Sequence, residues 1–162
     1  MTFSDTLEKR IARLLGSYAQ KRSALVPMLM YVQDELGSLG DEAIAEVAAR
    51  IGCTVLQVNE VIGYYSMMHK KPHGKYHVQV CTNISCMLRG GFEIWDHAQK
   101  KLGLKHKETD AAGQFSLEEV ECIGSCCWAP AMQVNYDYHH NVTKEGFDKM
   151  VSGLSAGLGG AK

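Results

Sequence analysis

Five of the six cysteines in this 162-residue sequence fall into two short segments, "CTNISC" at 81–86 and "CIGSCC" at 122–127. The repeated spacing is Cys81-x4-Cys86, then 35 residues, then Cys122-x3-Cys126, with Cys127 directly behind as a surplus thiol. Thiolates are soft anionic donors, so two such pairs suit one of three chemistries. Structural zinc takes four thiolates from tight knuckles; 122–126 fits its usual spacing and 81–86 stretches it. Thiol–disulfide exchange prefers C-x-x-C at the start of a helix, and no pair has that spacing. A [2Fe–2S] rhomb is longer than a single zinc ion and takes two sulfurs on each iron, which suits two wider pairs on facing loops. Spacing alone leaves all three open.

The residues between the thiols favour the cluster. A four-thiolate [2Fe–2S] centre is an anion and is stabilised by donors aimed at its sulfurs. The first segment offers the Thr82 hydroxyl, the Asn83 amide, backbone N–H groups and the start of a helix. Gly90, Gly91 and Gly124 allow the backbone to come close. Cys53, beside Gly52 in the first half of the chain, reads as a small buried residue. His69, His73 and His77 recur every four residues, but Pro72 and Gly74 interrupt any helix that would align them; with His139 and His140 they read as solvent or interface residues. Carboxylates are scattered without a pair in one place, and "GLSAGLGG" near the end is a Gly-rich tail rather than a nucleotide-binding turn. The chain shows no site of its own for NAD or flavin.

The cysteine pairs need elements that bring them to one place. "KYHVQVC" alternates and ends at Cys81, and "QFSLEEVEC" is a second strand expected to end at Cys122. If the two strands are neighbours in one sheet, their C-terminal ends carry both pairs to the same edge. Leu88, Phe92, Trp95 and Leu102 mark one helix from about residue 85 to 102, and "AMQVNYDYHHNV" a hairpin turning near Asn135–Tyr138. Thr143 caps a last helix with its face at Phe147, Met150, Val151 and Leu154, giving the order β-α-β-β-β-α. The first half has a different rhythm. Leu7, Ile11, Leu14, Leu15 and Tyr18 form one helical face, capped by Ser4 or Asp5. Leu25, Leu29, Val32 and Leu36 form a second, with Pro27 in its first turn. Ile44, Val47, Ala48 and Ile51 form a third, and Val55, Val58, Ile62 and Tyr65 a fourth, behind Thr54. The expected fold class is α+β, with a helical bundle over 1–70, an α/β domain over 71–155 and a flexible tail over 156–162.

A formal net charge of −1, spread evenly, withholds the electrostatic attraction on which nucleic-acid binding rests. Residues 41–62 imitate a helix-turn-helix, yet 54–65 contain no Lys or Arg to meet phosphates. No stretch approaches the roughly 20 apolar residues of a membrane span. Charges interrupt the first 23 residues throughout, and Asp5 and Glu8 speak against a transit peptide. These features place the thiols in a reducing cytosol, where stable disulfides are rare.

"PHGKYHVQVCTNISCMLRGG" together with "VECIGSCCWAPAMQVN" resembles the small thioredoxin-like [2Fe–2S] subunit of bacterial NADH:quinone oxidoreductase, the NuoE type of respiratory complex I. The resemblance extends over nearly the whole chain, including "YYSMM" before the break and the helical first half. It implies a thioredoxin-like second half, cluster ligation by Cys81, Cys86, Cys122 and Cys126, and one-electron transfer. It implies as partners a larger NuoF-type flavoprotein subunit, which binds NADH and FMN and carries out hydride transfer, and further subunits of the peripheral arm. It further implies a cytoplasmic place at the inner membrane through that complex. The chain is similar also to the small diaphorase subunits of NAD-linked hydrogenases and formate dehydrogenases, which share these ligands.

Overall fold

Ser4 has an extended backbone and its hydroxyl accepts the Leu7 N–H, which starts helix α1 (Asp5–Gly16) at the first of the two expected caps. The structure, a computed structural model, describes residues 2–157; part of the tail expected at 156–162 therefore lies outside the described residues. A 3-10 turn at Lys21–Ala24, which the sequence pattern did not announce, leads into α2 (Leu25–Leu36), with Pro27 in its first turn. Helices α3 (Asp41–Ile51) and α4 (Val55–Tyr64) follow, the last opened by a capping box between Thr54 and Gln57. Their apolar faces meet in one core that includes Leu7, Ile11, Met28, Leu29, Val32, Ile44, Val47 and Val58. Arg50 ties α3 to α1: its guanidinium donates to both Glu8 oxygens, at 2.6 and 2.7 Å, and to Glu46 at 2.8 Å. Cys53 is half-buried against this core. Cα proximity divides the chain into two units, Met1–Pro72 and His73–Lys162.

The second unit is built on a five-stranded sheet in the order β2-β3-β1-β4-β5. Strand β1 (Tyr76–Cys81) runs parallel to β3 (Phe115–Val120), pairing Tyr76 with Phe115 and Cys81 with Val120. On its other side β1 pairs antiparallel with β4 (Met132–Val134), which turns through Asn135 and Tyr136 into β5 (Asp137–His139). The short β2 (Glu108–Thr109) lies antiparallel on β3 and was not expected from the sequence, since two residues show no alternation.

Alternation sorts the sheet into two unlike faces. Val78, Val80, Leu117, Met132 and Val134 share a core with Trp95 and Ala98 of α6 (Gly91–Leu102) and Phe147 and Val151 of α7 (Lys144–Ser155). Thr143 caps α7 as expected. His77, Gln79 and Glu118 alternate to the opposite face, as does Cys81 at the end of β1. There Glu118 is buried, within 3.2 Å of His77 Nε2, 3.0 Å of the Gln79 amide that donates to it and 3.8 Å of Lys107 Nζ. His77 is thus a buried member of a polar network rather than a solvent-facing residue.

Two expectations for the elements around the thiols need correction. The single helix over 85–102 is two helices, α5 (Ile84–Leu88) and α6, because Gly90 takes φ +91° and breaks the path. The break turns the expected stripe, so Leu88 and Phe92 stand 75% and 45% exposed while Trp95 remains inside. Strand β3 also stops at Val120, two residues short of Cys122, which leaves that cysteine on a free loop.

Candidate metal centre

The parallel pairing of β1 with β3 carries both cysteine segments to one edge of the sheet, as neighbouring strands require. Cys81 is the last residue of β1 and Cys86 lies on α5; they are 3% and 2% exposed. Ala129 and Ala131 are buried with them, and Val120 and Ile123 pack alongside, so these sulfurs sit in a small apolar cup. Asn83 starts α5 by accepting the Ile84 N–H on its side-chain oxygen at 2.7 Å. Gly91 closes the back of the cup: a Cβ there would lie 2.8 Å from the Cys86 carbonyl carbon and 2.9 Å from the Cys81 carbonyl oxygen. Close approach is therefore the reason for Gly91. Gly90 and Gly124 answer instead to positive φ, +91° and +76°, with room at Gly124 for a side chain.

Cys122 and Cys126 form the other side, both exposed, the second opening a 3-10 turn over Cys126–Trp128. The Gly124 N–H reaches the Cys122 sulfur at 3.3 Å. Burial pushes the Cys86 thiol up to about 11; an Ala131 backbone hydrogen bond opposes this, and Cys81 and Cys126 add to it. The Cys126 thiol is raised first by its hydrogen bond with Cys122, also by Cys81, and lowered by the Ser85 hydroxyl. These interactions join Cys81, Cys86, Cys122 and Cys126, the four residues singled out in the sequence. Cys127 is exposed on the same turn.

All six cysteines are free thiols. Four thiols from two chain segments, two of them in a cup of low polarity, repel one another once ionised, and a core of iron cations relieves that repulsion. The donor set thus fits a cluster that takes two sulfurs from each segment. One expected donor is differently engaged: Thr82 gives its hydroxyl to Glu119 Oε1 at 2.9 Å. The backbone of Ala131, which no residue type announces, and the hydroxyl of Ser85 take up part of that role.

Residues 11–155 match the thioredoxin-like [2Fe-2S] ferredoxin family. The chain belongs to that family. Among curated relatives it is 38% identical over 156 residues to an E-type NADH-quinone oxidoreductase subunit of Rhizobium meliloti, spanning 96% of this chain and 90% of the relative. It is 41% identical over 160 residues to NADH-quinone oxidoreductase subunit 2 of Thermus thermophilus, spanning 97% and 88%. In fold it resembles a chain of an NAD+-reducing [NiFe]-hydrogenase in the air-oxidized state, with TM-score 0.69 and 15% identity. That match covers 80% of this chain but only 23% of the hydrogenase chain. The NuoE-type resemblance and the α+β class with N-terminal helices therefore stand. No described helix is long and apolar enough to cross a membrane.

Proposed function

We propose that this chain is the [2Fe–2S] subunit of an NADH:quinone oxidoreductase and relays single electrons to and from the FMN of a partner flavoprotein subunit. Cys81, Cys86, Cys122 and Cys126 would hold the cluster, the first pair on one iron and the second on the other. When bound, a four-cysteine [2Fe–2S] centre supplies a reversible one-electron site. The observation that carries the reading is the convergence of these four thiols at one sheet edge in a chain of this family. The chain's own part is positional. The apolar cup shields Cys81 and Cys86, and the exposed Cys122–Cys126 loop offers a short path for an electron from a docked partner. NADH and hydride chemistry belong to that partner, together with association at the inner membrane through the rest of the complex. We also read the chain as a bundle over 1–70 and a cluster domain over 71–155, with 156–162 as tail. The fold likeness to the hydrogenase chain supports a second reading, in which the same relay serves the diaphorase part of an NAD-linked hydrogenase.

Purification under argon, followed by absorption, iron and acid-labile sulfide analysis and EPR after dithionite, tests the cluster. Two irons and two sulfides per chain are expected, with a paramagnetic signal on reduction. A colourless chain with one zinc would overturn the reading, as would a Cys122→Ala chain with an unchanged spectrum. Co-purification with a flavoprotein of either a quinone reductase or a hydrogenase then separates the two assemblies.

A further inference from the structure

The exposed ligand turn is held from outside by one short segment. After β5 the chain passes His140, Asn141 and Val142 before α7 begins. The Asn141 N–H donates to the Trp128 carbonyl at 2.8 Å, and the Val142 N–H to the Pro130 carbonyl at 2.9 Å. Asn141 adopts φ +48°, a left-handed conformation that few residues take readily and that asparagine tolerates. The His140 ring stacks on the Trp128 indole, centroids 5.0 Å apart and planes at 27°, and the Tyr138 ring centroid lies 6.2 Å from that of His140. Trp128 closes the turn that Cys126 opens, its N–H bonded to the Ser125 carbonyl at 3.1 Å. Ser125 and Ala129 are buried at the two ends of the turn, but Trp128 itself is 54% exposed, so its outer side is held by the His140 segment rather than by core packing.

We propose that Trp128 and His140 form a clamp that positions Cys126, limiting how often the exposed loop opens and so setting the lifetime of the bound cluster. The proposal rests on the reading of Cys126 as a ligand. Neither ring is required to touch the metal. The stack acts through the backbone of Cys126–Trp128, where opening would have to break the ring contact together with the Asn141 and Val142 hydrogen bonds. An aromatic pair of this kind changes an opening equilibrium by about two- to tenfold.

The test follows loss of visible absorbance from the purified cluster-bearing chain in excess iron chelator. Parent, Trp128→Ala, His140→Ala, the double variant and His140→Phe are compared. Each alanine variant should lose its cluster about two- to tenfold faster than the parent. The double variant should be no faster than Trp128→Ala alone, because both remove one contact. His140→Phe, which keeps a ring, should restore most of the parent lifetime. Equal lifetimes in parent and His140→Ala, additive effects, or failure of His140→Phe to rescue would overturn the clamp. Cys126→Ala separates this from the underlying reading. If that chain keeps an unaltered cluster, the ligand assignment falls and the clamp with it. If it loses the cluster while His140→Ala is unaffected, the clamp alone falls.

Discussion

Cys81 and Cys86 stand at the end of a central strand and on a short helix, closed off by Ala129, Ala131 and the backbone at Gly91, whereas Cys122 and Cys126 lie exposed on a loop and a 3-10 turn. The first pair is placed by core packing, so its geometry can shift only if the sheet unit shifts with it. The second is exposed itself and is placed by burial of its neighbours Ser125 and Ala129 together with individual contacts: the Gly124 N–H on Cys122, a positive φ at Gly124 and the bonds that fasten Trp128. One side of the site therefore shares the stability of the domain, and the other is the side at which the proposed local opening would take place. An electron relay benefits from both, a rigid seat and an edge within reach of a partner.

The glycines beside the two cysteine pairs, Gly91 and Gly124, offer the strongest contrast. Gly91→Ala would push a methyl group to 2.8 Å from the Cys86 carbonyl carbon, and backbone cannot yield as a flexible side chain does. We expect it to cost about 1–3 kcal/mol or more, in the range of overpacked cores, and to sharply reduce iron per chain. Gly124→Ala meets open space and suffers only from its φ of +76°, a penalty of about 1–2 kcal/mol. Urea unfolding and iron analysis of the two variants make the comparison. Equal iron content in both would show that the cup is no more rigid than the loop.

A second contrast lies along the sheet from the cup. Glu118 faces the side of the sheet that Cys81 shares, two positions before Val120, the strand partner of Cys81. Burial raises its carboxyl, but His77 at 3.2 Å, the hydrogen bond from Gln79 and the charge of Lys107 prevail and hold it at about 2, below an ordinary 4.5. A carboxyl lowered on folding stabilises the protein above its unfolded pKa. That contribution disappears as pH falls from about 4.5 towards about 2. Glu118→Gln should therefore be less stable than the parent near pH 6, by on the order of 2 kcal/mol, with the gap narrowing below pH 4.5. Unfolding of both proteins at each pH measures the difference, in which acid damage common to the two cancels. A gap that widens in acid would exclude the pairing as the source.

What could be read from the sequence follows the same division. The four helices of the first unit, the caps at Ser4 and Thr54 and the pairing of β1 with β3 carry period and composition signals over many residues and formed as expected, although Tyr18 falls beyond α1 and β3 stops short of Cys122. The four thiols announce themselves by residue type and spacing. What escaped was set by single residues or by contacts distant in sequence. Gly90 broke one helix into two with a single dihedral angle, and β2 exists only because β3 offers it an edge. Thr82 was drawn to Glu119 across 37 residues, and the Ala131 backbone came to Cys86 across 45. His140 reached Trp128 in the same way, through the fold rather than through a motif.

The smallest expected effect concerns Cys127, and it tests how free the exposed loop is. Cys127 follows Cys126 on a 3-10 turn, where successive side chains are rotated by about 120°. For its sulfur to replace that of Cys126 the turn must rotate, against the Trp128–Ser125 and Asn141–Trp128 hydrogen bonds. Cys127→Ser should accordingly keep the iron content, EPR signal and thermal midpoint of the parent, while Cys126→Ser should lose the cluster. A Cys126→Ser chain that retains a cluster with an altered EPR signal, and loses it only when Cys127 is also replaced, would show that the turn can change register. The exposed side would then be an adaptable seat, and the contrast with the buried pair would extend from exposure to the choice of ligand itself.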